Sequence, residues 1–225
     1  MKDLLENDYV AHFHLEHSRP KPAADCVTTD LAEFDVDDTV PPILPAGEGK
    51  LTLANRWFGA LEIASYERFV DQCKKPASFL RGRKKCDLFA LHRSDDGYAV
   101  LVELTTATGS VKNLSNPIPP IGKPQYPGGK YEKAVVQLSS SLKDLLAVPA
   151  IKQRIEAKSH KVCLTAYRLY PHTDPQYLMK HPMERYLKTE AAETADCGAV
   201  LSCPEVERNG FEYRRISHDY AFRME

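Results

Sequence analysis

The sequence predicts an α/β fold in which a mixed four-stranded sheet is flanked by helices, with additions at both chain ends. Three observations lead there. The runs CDLFALHR (86–93) and YAVLVELTT (98–106) surround the turn-forming SDDG and read as paired strands. Residues 130–147, KYEKAVVQLSSSLKDLLA, place Val135, Leu138, Leu142 and Leu145 at helical spacing. KVCLTAYRLY (161–170) returns to a strand pattern.

In chain order, residues 1–48 read as an acidic arm with a short helix near 2–17, closed by Pro41, Pro42, Pro45, Gly47 and Gly49. Residues 52–72 carry Trp57, Phe58, Leu61, Ala64, Tyr66 and Phe69 at roughly helical steps and are predicted to be a helix. Residues 77–80 suggest a short strand before the basic run Arg81-Gly82-Arg83-Lys84-Lys85. Residues 107–129 form a long loop rich in Pro and Gly, of the kind that can close over a substrate. After the 161–170 strand, residues 171–198 suggest a helix broken at Pro182, and 198–225 a hairpin turning at Asn209-Gly210. The expected organisation is an acidic arm (1–48), a core (49–170) and an extension of the same domain (171–225).

Composition narrows the function classes. Of 225 residues, 43% are hydrophobic and 27% charged, so a packed core is expected. No apolar run approaches the roughly 18–20 residues of a membrane span, and the first residues lack a signal-peptide core. The six cysteines include no C-x-x-C pair and read as reduced thiols of a cytoplasmic protein. Net charge is −1 but unevenly spread: 3 Lys/Arg face 11 Asp/Glu in residues 1–48, and 19 face 10 in residues 49–165. A basic centre suits a polyanionic partner. No Walker-type loop, dinucleotide fingerprint or G-x-S-x-G is present.

The hairpin holds the most informative residues. With Asp95-Asp96-Gly97 as a three-residue turn and Gly97 left-handed, Ser94 faces Tyr98 and Asp87 faces Thr105. Asp87 and Glu103 then share one face of the sheet; a two-residue turn would send them to opposite faces. Two acids on a mostly apolar hairpin are costly unless a proton or a cation joins them. Divalent metal is the usual solution, and metal-assisted phosphodiester cleavage its usual purpose.

The succession of helix, short strand, strand with Asp, strand with Glu, helix with Gln, and strand resembles the PD-(D/E)xK (restriction-endonuclease-like) nuclease superfamily. Cys86-Asp87 stands at its "PD" step, Glu103-Leu104-Thr105 at "(D/E)xK", and Lys133 to Gln137 on the following helix. The match spans about residues 52–170. Cys86 replaces a proline that is not a ligand. Thr105 replaces the lysine that orients water and balances charge.

The resemblance implies a Mg²⁺- or Mn²⁺-dependent endonuclease. Asp87 and Glu103 would hold the metal with the Leu104 carbonyl, and Glu62 or Glu67 would complete the acid set. Lys133, or Lys130, would substitute for the missing lysine, and Gln137 would contact metal-bound water or phosphate. Arg81, Arg83, Lys84, Lys85 and Lys130 would grip backbone phosphates of nucleic acid, DNA ahead of RNA, in salt-sensitive fashion. The superfamily's use in phage defence, and work as a homodimer or with a partner protein, follow by the same analogy. Thr105 also supports an alternative: a catalytically inactive relative acting in nucleic-acid binding or as a scaffold.

Overall fold

The computed structural model describes residues 1–16, 18, 20–56, 58–73, 85–110, 112–118, 126–170, 173–180 and 199–225. The predicted hairpin is β6 (Leu88–His92) and β7 (Tyr98–Thr108), and the predicted helix is α4 (Gly129–Ala147). The predicted returning strand is β8 (His160–Tyr170). Before them come α1 (Val10–His12), β1 (Cys26–Thr29), β2 (Glu33–Val36), β3 (Ile43–Leu44), β4 (Leu51–Asn55), β5 (Leu61–Ser65) and α2 (Tyr66–Asp71). Around and after them lie α3 (Lys112–Ser115), α5 (Pro149–Glu156), α6 (Pro175–Lys180), β9 (Ala199–Leu201), α7 (Pro204–Glu207), β10 (Glu212–Ser217) and β11 (Ala221–Met224).

Strands β5, β6 and β7 form an antiparallel meander. The chain then passes through α4 and α5 and returns as β8, parallel to β7. This four-stranded mixed unit, with α4 and α5 packed on it, is consistent with the predicted restriction-endonuclease-like fold, and the chain ends enlarge it. The complete main sheet has seven strands in the order β1-β5-β6-β7-β8-β10-β9. A second, four-stranded sheet runs β11-β4-β2-β3.

The helix expected over 52–72 is instead two strands and a short helix. Gly59 has φ +71°, outside the helical range, and breaks the span. Apolar residues then alternate: Leu51 and Leu53, like Leu61 and Ile63, belong to the core between the two sheets. The apparent helical spacing came from combining the two strands with α2. The expected acidic arm is also built in. A π-helical turn, Leu4–Tyr9, leads into α1 and buries Leu5 and Tyr9, while β1 borders the main sheet and β2 and β3 enter the second. The expected turn at Asn209-Gly210 instead ends α7, with Gly210 at φ +75° donating its N–H to the Glu207 carbonyl at 2.9 Å. The positions expected as a 77–80 strand, and Pro182, lie outside the described residues.

The hairpin register also differs. Leu91 faces Ala99, so the loop is longer than the predicted three residues. Gly97 is not left-handed; a Cβ there would sit 2.4 Å from His92 Cβ. The turn folds onto the buried His92 ring, whose Nδ1 accepts from Tyr98 N–H at 2.9 Å and whose Nε2 meets Asn55 Oδ1 at 2.9 Å. Desolvation pushes that imidazole down to about 4, so it is neutral at pH 7.

The main sheet therefore has two covered faces. Phe89, Leu91, Ala99, Leu101 and Cys163 pack beneath α4, α5 and the N-terminal helical turns. Leu88, Ala90, Val100, Val102, Leu164 and Ile216 pack against Phe34, Val36, Leu51, Leu53, Phe222 and Met224 of the second sheet. No single helix among the described residues is long and apolar enough to cross a membrane.

Candidate functional site

The chain enters β6 through a buried polar stitch to α4. Gln137, Ser141 and Asp144 recur at four- and three-residue steps beside the Leu138, Leu142 and Leu145 stripe, so they face the sheet. Ser141 Oγ accepts from Cys86 N–H at 2.8 Å and donates to the Gln137 carbonyl at 2.8 Å. Gln137 Nε2 donates to the Lys85 carbonyl at 2.8 Å and to Glu103 Oε2 at 3.1 Å. Lys85 Nζ donates to Ser140 Oγ at 2.9 Å and forms a short ion pair with Asp144. The backbone of residues 85 and 86 is thus held where the chain leads into Asp87.

Asp87 and Glu103 come together. The register places Leu88 opposite Val102, and one further step places Asp87 opposite Glu103. The sequence-based register put Asp87 opposite Thr105. The difference is two residues, so the shared face survives. That face is the one α4 covers. Both acids are buried, at 7% and 5% exposure. Asp87 Oδ2 accepts from Leu104 N–H at 2.6 Å. Burial raises the Asp87 carboxyl to about 7; the Leu104 hydrogen bond opposes this, and the charges of Glu67 and Asp38 add to it. An aspartate so placed is half protonated at neutral pH unless a cation is present.

Gln137 orients Glu103, and its Oε1 is buried without a hydrogen-bond partner. Lys130 Nζ forms a short hydrogen bond to the Thr106 carbonyl. Residues 104 and 106 present their backbone groups to the same strand edge, so Lys130 reaches the edge of β7 on which Leu104 meets Asp87. Lys133 lies one helical turn before Gln137 and is half-buried. Thr105 is half-buried, facing Tyr167 of β8.

Two expectations need correction. Glu62 is on β5, not on a helix, and lies opposite Leu91, well along the sheet from Asp87. Its carboxylate is engaged by the Met1 ammonium at 3.1 Å and by Arg93 at 3.3 Å, which holds it below the usual carboxylate range despite its partial burial. Glu67 of α2 is the acid beside Asp87, because its own N–H and that of Tyr66 approach the Asp87 carbonyl. Lys85 is not a surface phosphate grip: its side chain is 1% exposed and paired to Asp144. Arg81, Arg83 and Lys84 lie outside the described residues.

Sequence reasoning placed Ser141 on one helical face with Lys130, Lys133 and Gln137, and missed Asp38, Asp144 and Arg215. A signal existed for Asp144, which falls three residues after Ser141 and directly before Leu145, beside the leucine stripe that faces the core. Asp38 gave none, because its approach to Asp87 depends on the second sheet.

Among the described residues no group of three His, Cys, Asp or Glu is arranged to hold a metal ion. No protein-family model, curated protein or solved structure matches the chain.

Proposed function

We propose that this chain is a metal-dependent nuclease of the PD-(D/E)xK type, hydrolysing phosphodiester bonds in nucleic acid, DNA ahead of RNA. The observation that carries the reading is the pairing of Asp87 with Glu103 across adjacent antiparallel strands, under the helix whose Gln137 binds Glu103. The donors fit Mg²⁺ or Mn²⁺, which favour oxygen ligands: the two carboxylates, the Leu104 carbonyl on the same edge as its N–H, and the orphaned Gln137 Oε1. Such an ion, when bound, polarises a phosphate and lowers the pKa of an attacking water.

The chain's own residues do the rest. The α4 stitch fixes the direction of Glu103, and burial keeps Asp87 in need of a cation. Lys130 and Lys133 bring positive charge to the edge of β7 that Thr105 leaves without it. Arg81, Arg83 and Lys84 precede Asp87 in sequence and would hold flanking phosphates.

A second reading, a non-catalytic nuclease-like subunit, is favoured by Thr105, which stands where the superfamily carries its lysine. The two readings separate when plasmid and single-stranded DNA and RNA are incubated with Mg²⁺ or Mn²⁺. We expect cleavage by the wild type and its loss in Glu103→Ala and Asp87→Asn, each checked to be folded at the assay temperature by thermal unfolding in excess chelator. Cleavage that persists in Glu103→Ala removes this site. Binding without cleavage in every condition favours the second reading.

A further inference from the structure

Arg215 is a cation that neither the core packing nor the Asp87–Glu103 pair accounts for. It lies on β10, where the register runs Glu103 to Thr165 to Arg215 across three neighbouring parallel strands, with Tyr167 in line with Thr105. Strand alternation sets its direction: Tyr213 joins the core beneath α4, and Arg214 points the other way, over the Phe222 ring of the second sheet at 6.0 Å. Arg215 therefore projects onto the Glu103 face. Its guanidinium lies 4.1 Å from the centroid of the Tyr131 ring in the first turn of α4, and Tyr131 packs edge-on against Tyr167 at 5.8 Å. The charge is thus parked beside the row that contains Thr105.

Its environment is an unfinished one. Nε is buried with no hydrogen-bond partner, and among the described residues no carboxylate lies within ion-pair distance of it. Stacking on the Tyr131 ring and interactions with the Tyr131 and Tyr213 hydroxyls hold the guanidinium in place, but they leave its Nε–H without an acceptor. A desolvated donor of this kind is costly until an anion takes it, and a phosphate oxygen accepts from a guanidinium in good geometry.

We propose that Arg215 contacts a phosphate of the bound nucleic-acid backbone and supplies, from β10, the positive charge for which Thr105 has no side chain. The Tyr131–Tyr167 pair acts as its platform and holds it in the row of Glu103, with Thr165 between them. The proposal rests on the nucleic-acid reading of the site, and it assigns a role to the C-terminal strands, which lie outside the span of the sequence resemblance.

The test uses the full chain with Arg215→Met and Arg215→Lys, checked for unchanged thermal unfolding. Binding of a short fluorescent duplex and of the same single strand is measured in Ca²⁺ across a salt series, and cleavage in Mg²⁺. Arg215→Met is expected to lower the slope of log K against log salt by about 0.7–0.9, the signature of one lost phosphate contact. It is also expected to lower kcat/KM roughly 10²-fold. Arg215→Lys keeps a cation without the planar fork and should restore the salt slope but only part of kcat. A folded Arg215→Met with unchanged salt slope and unchanged cleavage overturns the proposal. If Arg215→Met does not fold, Arg215→Lys decides: wild-type kcat overturns it, and reduced kcat with an intact slope supports it. Should the wild type bind but cleave nothing, the nuclease reading fails while the salt slope still decides the role of Arg215.

Discussion

The two faces of the main sheet are built to different rules. Toward the second sheet the side chains are apolar apart from the buried His92–Asn55 pair at one end: Leu88, Val100, Val102, Leu164 and Ile216 meet Leu51, Leu53, Phe222 and Met224. Toward α4 the same strands carry Asp87, Glu103 and Thr165, and the helix answers with Gln137, Ser141 and Asp144, all buried. Apolar burial stabilises by roughly 25 cal/mol per Å² without directional demands. Buried polar groups contribute little net stability and cost heavily when one partner is missing. One face therefore holds the sheet flat against a support, and the other keeps expensive groups in fixed directions. That cost is understandable if the directions serve chemistry.

Substitutions can break this contrast. The largest effect on stability is expected from Lys85→Met, which leaves the buried Asp144 carboxylate without its cation and should cost about 3–5 kcal/mol in chemical denaturation. The double variant Lys85→Met/Asp144→Leu should recover most of that loss, because both charges are then gone. If the single change costs nothing, the stitch does not hold the entry to β6. On the opposite face Leu164→Ala should cost about 2–5 kcal/mol by opening a cavity, while leaving Mn²⁺ affinity unchanged once the protein is folded. A change in metal affinity there would mean the faces are not independent.

A subtler contrast comes from pH. Asp87 rises from its ordinary value of 3.8 to about 7 in the folded chain. Between those values the folded state holds more protons than the unfolded state, so stability falls as pH rises from about 4 to about 7, then levels off. The whole change is on the order of 4 kcal/mol for the metal-free protein. Asp87→Asn should flatten this part of the profile and be the more stable protein at pH 8. His92 works in the opposite sense: its stability contribution is lost as pH falls from 6.5 toward 4, and the Asp87 variant exposes that slope. If Asp87 and Glu103 hold the proposed ion, wild-type Mn²⁺ affinity should fall up to about tenfold per pH unit below pH 7, as protons compete for Asp87. Titration calorimetry at several pH values reads this directly.

Much of the central architecture was legible because its signals are local. Alternation in YAVLVELTT, the leucine spacing of 130–147 and the apolar run of 161–170 each name an element without reference to the rest of the chain. The shared face of Asp87 and Glu103 was also legible, because parity of the register is all it needs, and an error of two residues leaves parity intact. Where two strands lay close together in 51–65, their combined apolar residues imitated helical spacing, and only Gly59 marked the break. The pairing of Glu62 with the Met1 ammonium could not be read at all, since its partners lie far apart in the chain.

The amino-acid order by itself determined which segments become strands and helices in the core, and that two acids would be trapped on one side of a hairpin. Tertiary structure alone decided that Lys85 is buried, that Glu67 rather than Glu62 stands beside Asp87, and that Arg215 comes into register with Glu103 across β8. The physical reason is range. Backbone preference and hydrophobic period act over a few residues, whereas the partner of a buried charge is whichever group the folded chain carries to within a few ångströms of it.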